Sequence, residues 1–225
     1  MRHFKIFGYF LVLVLAGWVQ GSALALERSD ILLDIVRHCV DPQVGDYCSL
    51  CRAPRADAAC NAPTACNKTT EVWALTSSYT ALRDIKMCGC PADFVHGLAL
   101  PRAVVRGVED PNRPDGIWQF AWDVGASRIE PQNMALVVNP QFQRSQNQLH
   151  VHMLRLSPDA RARLEGMKFT AVSDLGSVWA SAARSAAAQG WADYGVIVVQ
   201  RAPQDFMVVA TPDSPEDAFT QWRCN

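Results

Sequence analysis

The chain has 225 residues, of which 49% are hydrophobic and 19% are charged, and its formal net charge is -1. That length suits one domain, or one domain with a lobe, built around a sizeable core. The near-neutral charge, with no run of lysine and arginine, argues against a nucleic-acid partner held by phosphate contacts.

The N-terminus has the three parts of a secretory signal peptide. Residues 1–5 are basic, residues 6–19 are apolar, and Gly21-Ser22-Ala23-Leu24-Ala25 provides an A-x-A type cleavage site. The apolar run is shorter than the about 20 residues that span a bilayer. We therefore predict a signal peptide over residues 1–25, with an uncleaved N-terminal anchor as the alternative, and an exported domain over residues 26–225.

The exported part contains eight cysteines, an even number that favours disulfides. Seven of them lie within residues 39–90, which we expect to be a cysteine-rich segment held by disulfides. Cys224 is expected to tie the C-terminal tail to the body. The alternative is a zinc site at Cys48-Ser49-Leu50-Cys51 and Cys88-Gly89-Cys90, but the second pair has one intervening residue where zinc sites have two to four.

The predicted elements are short helices and strands joined by polar turns. In chain order the patterns predict a helix at 28–39, a loop at 41–68, short strands at 71–75 and 84–87, a strand at 94–102 that continues to 108 after a kink, a helix at 117–124, a buried strand at 134–139, a strand from 148, helices at 159–165 and 177–189, and a hairpin of strands at 194–200 and 205–211. This order indicates an α+β fold, an antiparallel sheet with flanking helices.

Two of the five histidines lie in Gln148-Leu149-His150-Val151-His152-Met153, where polar and apolar residues alternate. A strand with this period places Gln148, His150 and His152 on one face. A neutral imidazole can attack phosphorus while a neighbouring imidazolium protonates the leaving oxygen, and the glutamine amide can hold a phosphoryl oxygen or fix a ring tautomer. The arrangement is therefore suited to phosphoanhydride cleavage without a metal.

The segment before this strand is predicted to complete the site. Backbone N–H groups of the turn and the hydroxyl of Ser145 are suited to bind non-bridging phosphoryl oxygens. The preceding strand should bring Asn139 to the same end. One alternative is a zinc site in which His96 joins His150 and His152, and another is a pair of surface histidines on an ordinary strand.

Three stretches carry a resemblance to the histidine triad superfamily. His150-Val151-His152-Met153 is similar to its motif, in which three histidines alternate with apolar residues. Phe94-Val95-His96-Gly97-Leu98-Ala99-Leu100-Pro101-Arg102 resembles its upstream strand. Leu136-Val137-Val138-Asn139 looks like the strand whose terminal asparagine lies at the active site.

The likeness becomes more specific when the rest of the chain is included. Residues 146–152, the tryptophan-bearing stretch 117–122 and the tail 194–211 resemble bacterial CDP-diacylglycerol pyrophosphatases, as do the exported N-terminus and the early cysteines. The resemblance implies a histidine triad-like α+β fold and a hydrolase of phospholipid metabolism that converts CDP-diacylglycerol to CMP and phosphatidate. It implies neither a metal nor another cofactor.

The resemblance also implies a role for each matching residue. His150 attacks phosphorus and forms a covalent phosphohistidine-type intermediate, His152 contacts phosphate and assists the leaving group, and His96 supports the triad. The substrate-binding and phosphate-binding positions are Asn139, Ser145, Gln146, Asn147 and Gln148. Gln148 departs from the family pattern, which usually has a histidine there, although glutamine can orient its neighbours without titrating.

The implied partners are a lipid nucleotide substrate and a membrane surface, in the periplasm. Retention of residues 1–25 would tether the domain to the inner membrane. Two other functions remain open at this point. One is a histidine triad-like nucleotide pyrophosphatase or nucleotidyl transferase with a soluble substrate, and the other is a non-catalytic, disulfide-rich binding module.

Overall fold

Eight antiparallel strands form one sheet in the structure, a computed structural model that describes residues 30–61 and 64–224. The strands are β1 (Val72–Leu75), β2 (Tyr79–Arg83), β3 (His96–Pro101), β4 (Met134–Val138), β5 (Val151–Arg155), β6 (Thr170–Val172), β7 (Gly195–Ala202) and β8 (Asp205–Thr211). They lie in the order β1-β2-β3-β5-β4-β7-β8-β6, and every neighbouring pair is antiparallel.

Six helices accompany the sheet: α1 (Ile31–His38), α2 (Tyr47–Leu50), α3 (Ile117–Ala126), α4 (Ala160–Glu165), α5 (Val178–Ala188) and α6 (Pro215–Phe219), counted within the described ranges. Together with the antiparallel sheet they confirm the predicted α+β class. The predicted signal segment, residues 1–25, lies outside the described residues. Within the part of the chain that is described, no helix is both long and apolar enough to cross a membrane.

Alternation along the strands divides the side chains between two faces of the sheet. On one face α3 and α5 cover the main core. The other face carries two smaller apolar clusters. The α1 cluster joins α1 to Leu82 and Leu98, and the α4–α6 cluster joins those helices to Val137 and Ile197. His152 pairs with Leu98 on one side and with Val137 on the other, so it lies between the two clusters.

The main core contains the two tryptophans that share a face of α3. Trp118 is fully buried and its ring meets that of Trp179 edge-on, with centroids 4.7 Å apart. Trp122 is partly buried and meets Phe206 in the same way at 4.9 Å. Both tryptophans therefore serve packing, as their spacing of four residues indicates.

Three expectations for the strands were wrong. Residues 84–87 form a 3₁₀ turn, because the Asp84 carboxylate accepts from the Lys86 backbone N–H at 2.8 Å and offers the chain a local alternative to a strand. Residues 103–108 do not continue β3. The histidine strand begins at Val151 rather than Gln148, although Leu149 still donates a backbone hydrogen bond to Val105 at 2.6 Å. Helix α2 lies within the predicted loop at 41–68, and neither it nor strands β2 and β6 and helix α6 were anticipated.

All eight cysteines are paired in four disulfides: Cys39–Cys51, Cys48–Cys60, Cys66–Cys88 and Cys90–Cys224. The prediction of a stapled N-terminal segment and a tethered tail is confirmed. Zinc ligation by the cysteines is wrong, because their sulfur atoms are bonded to one another. Disulfides persist in oxidising compartments, so this pairing is consistent with an exported protein.

The two disulfides of most different loop length give a test of what they contribute. Cys90–Cys224 closes 134 residues and Cys48–Cys60 closes 12. Loop-closure entropy assigns them roughly 5 and roughly 3 kcal/mol. We expect Cys90→Ala/Cys224→Ala to lower the free energy of unfolding, measured in urea, by about 2 kcal/mol more than Cys48→Ala/Cys60→Ala. Equal losses would contradict the entropic account.

Candidate active site

The candidate site lies on the sheet face between the α1 cluster and the α4–α6 cluster. In the histidine segment Leu149, Val151 and Met153 pack into the main core, which directs His150 and His152 to the other face. The predicted alternation is therefore confirmed, although the ladder starts only at Val151.

Neighbouring strands place polar residues on the same face, because residues two apart in a strand point the same way. His96 precedes Leu98 by two residues on β3, and Asn139 follows Val137 by two residues at the end of β4. Asp84 follows β2 directly and its backbone N–H donates to the His96 carbonyl at 2.9 Å. The sheet thus gathers buried polar side chains from four strands at one point.

His96 and His152 form a buried hydrogen-bonded pair. His96 Nδ1 lies 3.2 Å from the Trp222 carbonyl oxygen, and His96 Nε2 lies 2.9 Å from His152 Nδ1. Burial lowers the pKa of His96 to about 4. Burial, together with the neighbouring histidines, lowers the pKa of His152 well below 6.5. Both rings are therefore neutral at neutral pH.

Neutral rings fix the proton positions along this chain. A carbonyl can only accept, so His96 carries its proton on Nδ1 and accepts at Nε2 from His152 Nδ1. His152 then has an unprotonated Nε2. That atom is buried, makes no hydrogen bond with the described residues, and lies 3.5 Å from Glu216 Oε2.

His150 is held in the tautomer that a nucleophile needs. Its Nδ1 lies 2.7 Å from the Gln148 carbonyl oxygen, so Nδ1 carries the proton and Nε2 keeps a lone pair. Burial lowers the pKa of His150, which keeps the ring neutral near pH 7. The ring contacts a cavity and lies edge-on to His152, with ring centroids 4.7 Å apart.

The cavity has a volume of about 520 Å³, which is typical of small-molecule sites. Five of the eight predicted site residues line it: Asn139, Ser145, Gln146, His150 and His152. The other three, His96, Asn147 and Gln148, are close by but are not part of the wall that the described residues form. The structure therefore brings the predicted set together and divides it into cavity-facing and supporting residues.

The side chain of Gln148 joins the histidine segment to the end of β3. Its Nε2 donates to the carbonyls of Pro101 at 2.9 Å and Ala103 at 2.8 Å, and its Oε1 accepts from the Val105 backbone N–H at 3.3 Å. These bonds satisfy three backbone groups of a segment that leaves the sheet. They explain why residues 103–108 do not form a strand.

The loop residues Gln146 and Asn147 contact α1 instead of one another. The Leu32 backbone N–H donates to Gln146 Oε1 at 3.2 Å, and Asn147 Nδ2 donates to Asp30 Oδ1 at 3.0 Å. The first turn of α1 is thereby attached to the loop that precedes the histidines.

Glu216 is a buried carboxylate of the site that the sequence analysis did not identify. Its Oε1 accepts from Lys86 Nζ at 2.9 Å, and its Oε2 accepts from Asn139 Nδ2 at 2.6 Å. Asn139 Oδ1 in turn accepts from Ser214 Oγ at 3.0 Å. Ser214 also caps α6 by accepting from the Asp217 backbone N–H. The Ser-x-x-Asp spacing was the available signal for a helix start, but it does not say where the helix lies.

Cationic side chains also line the cavity, and these were not predicted either. They are Arg83, Lys86, Arg144 and Arg223. Three of them are paired with carboxylates: Arg83 with Glu71 at 3.0 Å, Lys86 with Glu216, and Arg144 with Glu109 at 2.8 Å. Asp84, Glu216 and Asp217 line the cavity as well, so a bound anion would share these cationic side chains with the carboxylates that hold them in place.

Three residues in the described part of the chain have ligand atoms close enough for one cation. The atoms of Asp84, His96 and His152 lie within 4.8 Å of one another. The zinc site considered from the sequence consisted of His96, His150 and His152, so the structure has Asp84 in place of His150. Burial raises the pKa of Asp84, which favours its neutral form. The His96 Nε2 atom, which lies 3.4 Å from Asp84 Oδ2, is already used in the hydrogen bond to His152.

Comparison with known proteins adds a family and a structural likeness. The family model described as CDP-diacylglycerol pyrophosphatase matches residues 57–189, which is more than half of the chain and includes the three histidines of the site. Among solved structures, the chain is similar to a GalT-like protein from Arabidopsis thaliana. The two are 12% identical, the likeness covers 62% of this chain and 81% of that one, and the TM-score is 0.37.

The depressed pKa of His96 makes stability depend on pH. Between about pH 4 and the ordinary value of 6.5 the unfolded chain binds a proton that the folded chain does not, so the free energy of unfolding rises with pH. We expect about 3 kcal/mol from His96 to be present above pH 6.5 and lost as the pH falls to 4. Urea unfolding of His96→Asn at several pH values should give a shallower slope than the wild type, and an unchanged slope would contradict this assignment.

Replacing Gln148 with glutamate tests the role of the amide. Glu is nearly isosteric, but it cannot donate to the carbonyls of Pro101 and Ala103, and a carboxylate would oppose them. We expect Gln148→Glu to lower the free energy of unfolding at pH 7 by roughly 2–4 kcal/mol. Asn147→Asp, which changes the same chemistry on an exposed contact, serves as the control and should change it by less than about 1 kcal/mol.

Proposed function

We propose that this chain, which belongs to the CDP-diacylglycerol pyrophosphatase family, cleaves the pyrophosphate bridge of its substrate through attack of His150 on phosphorus. Membership of that family implies hydrolysis of CDP-diacylglycerol to CMP and phosphatidate, so the chain is a hydrolase that acts on a phosphoric anhydride. The observation that carries the mechanism is the 2.7 Å contact between His150 Nδ1 and the Gln148 carbonyl oxygen. It places the proton on Nδ1 and leaves the lone pair on His150 Nε2 free to attack.

In the first step His150 Nε2 forms a bond to one phosphorus of the bridge. The bond from that phosphorus to the bridging oxygen breaks, and the oxygen leaves with the electron pair. The leaving oxygen needs a proton, and His152 is the neighbouring ring that can supply one. His152 is neutral without substrate, but the negative pyrophosphate raises its pKa by opposite charge, so that Nε2 takes up a proton as the substrate binds.

In the second step water replaces the histidine on phosphorus. His152, now neutral, accepts a proton from the attacking water, which is the reverse of its first role. The bond between phosphorus and His150 Nε2 breaks and regenerates the free ring. Splitting one displacement into two is the usual benefit of a covalent intermediate.

The remaining residues bind phosphate or hold those that do. We assign Ser145 and Gln146, which line the cavity, to the non-bridging oxygens, together with the cationic side chains of Lys86 and Arg144. Asn139 also lines the cavity, and its bonds to Glu216 and Ser214 fit a role at the neighbouring loop. His96, Asn147 and Gln148 act through other groups as positioning residues.

The substrate class and the disulfides support an assignment of location. We propose that the domain acts in the periplasm at a membrane surface, with residues 1–25 as the export signal or, if they are retained, as a tether to the inner membrane. A lipid substrate requires access to a membrane face, and the four disulfides require an oxidising compartment.

The mechanism predicts that His150→Ala loses on the order of 10⁴-fold or more in kcat, because the variant lacks the attacking atom. CMP release from CDP-diacylglycerol measures it. Substrate radiolabelled in the bridge, quenched without acid, should leave label on the peptide that contains His150 in the wild type and not in the variant. His38→Ala changes a histidine at the end of α1, outside the cavity wall, and should retain wild-type turnover.

Undiminished turnover by His150→Ala would contradict the mechanism. Dialysis against a strong chelator discriminates it from metal-assisted hydrolysis, since every proposed step uses a ring nitrogen. We expect turnover to survive the chelator. Loss of turnover that zinc restores would assign the chemistry to an ion at Asp84, His96 and His152 instead.

A further inference from the structure

One wall of the catalytic cavity is apolar, and the mechanism does not use it. It is formed by Ile31, Leu32 and Ile35 from α1 and by Leu82 and Leu98 from the sheet. Leu98 pairs across the strands with His152, so this wall begins beside the catalytic histidines. The residues from α1 lie at i, i+1 and i+4, which places them along one side of the helix.

The apolar wall runs from the protein interior to the surface. Leu82 and Leu98 are buried, Leu32 and Ile35 are half-buried, and Ile31 is 48% exposed. A second large apolar side chain of the cavity, Ile85, is 60% exposed. Exposed apolar side chains that are continuous with a buried apolar surface mark a place where another apolar group binds.

The apolar wall is also attached to the phosphate-binding loop. Gln146 accepts from the Leu32 backbone N–H at 3.2 Å and Asn147 donates to Asp30 at 3.0 Å, so both hydrogen bonds attach this loop to the start of α1. The charged and the apolar sides of the cavity are therefore fixed relative to each other. Such a site fits a ligand that is charged at one end and apolar at the other.

We propose, on the basis of the function proposed above, that the diacylglycerol end of the substrate lies along this wall. The first carbons of the acyl chains contact Leu98, Leu82 and Ile35, and the chains leave the cavity past Ile31 and Ile85 toward a lipid surface. A volume of about 520 Å³ suits one drug-sized ligand. The nucleotide and glycerol take much of that volume, so long acyl chains must leave the cavity at this rim.

The test compares ligands that differ only in their acyl groups. CDP-glycerol has none, and dihexanoyl CDP-glycerol has two short chains and can be used below its critical micelle concentration. Each methylene removed from water strengthens binding about fourfold. Calorimetry with wild-type protein uses the analogues of both compounds in which a methylene replaces the bridging oxygen, so that turnover does not consume them. It should therefore give a dissociation constant at least tenfold lower for the dihexanoyl analogue than for the CDP-glycerol analogue.

The variant Ile31→Asn/Ile85→Asn changes only exposed positions of the rim, which keeps the fold intact. We expect it to weaken binding of the dihexanoyl ligand about tenfold and to change binding of CDP-glycerol less than twofold. The matched control is Val44→Asn/Leu50→Asn. Both of these residues are 49% exposed and neither lines the cavity, so binding of both ligands should stay at the wild-type value.

Two results would overturn the proposal. One is equal weakening of both ligands by the rim variant, which would make the rim a support of the nucleotide site. The other is that the rim variant binds the dihexanoyl compound as the wild type does and loses binding only to phosphatidylcholine vesicles that contain long-chain substrate. That result would indicate that the rim docks the protein to the bilayer and is not an acyl site. Because the readout is binding, it is independent of whether His150 is the nucleophile, which turnover by His150→Ala decides.

Discussion

The hydrogen bond between His96 and His152 is the interaction on which the site depends. It joins the adjacent strands β3 and β5 at 2.9 Å, and both rings are buried. Two charged rings would repel each other there, and two neutral rings can bond only if one nitrogen carries a proton and the other does not. The Trp222 carbonyl sets these positions by accepting from His96. Trp222 lies two residues before Cys224, whose disulfide with Cys90 attaches the tail to the body. Trp222, in the tail, therefore controls the proton on a ring that lies 126 residues earlier in the sequence.

The face of the sheet on which the histidines lie was predictable because side-chain direction in a strand follows from the period of two. The same argument located Asn139, and it separated Leu149 and Val151 from the site. It did not locate the start of the strand. The hydrogen bonding between β3 and β5 stops near the end of β3, which is Pro101. Beyond Pro101 the backbone bonds to the side chain of Gln148 instead, which the sequence does not reveal.

The residues that the sequence analysis missed act through contacts of long sequence separation. Lys86 and Glu216 are 130 residues apart, and neither has a pattern around it that indicates the other. The pairing of the cysteines has the same character, since eight cysteines permit 105 arrangements and local spacing does not choose among them. The four bridges became known only with the fold.

The glutamine two residues before His150 has a physical explanation in the contacts it makes. Gln148 donates twice and accepts once, and a primary amide is a neutral group that can do all three. A neutral imidazole has one donor and one acceptor, so it would leave one of the three backbone groups without a partner. A glutamine at this position therefore connects the histidine segment to the end of β3 in a way that a histidine could not. The backbone carbonyl of the same residue still accepts a hydrogen bond from His150.

Burial explains why the two cavity-facing histidines can take different roles with similar side chains. Desolvation lowers the pKa of both, so each ring is neutral before substrate arrives. In the proposed mechanism this state is the reactive one for His150, because Nε2 keeps its lone pair. For His152 it is the unreactive one, since the ring has no proton for a leaving oxygen. In both rings the Nδ1 proton has an acceptor and Nε2 is unprotonated. What distinguishes His152 is that its Nε2 lies 3.5 Å from Glu216 Oε2, a carboxylate that adds to a pyrophosphate in favouring a proton on that atom. In the proposed mechanism the charge of the substrate thus causes His152 to take up from solvent the proton that cleavage requires, and a ligand without that charge would occupy the cavity without activating the acid.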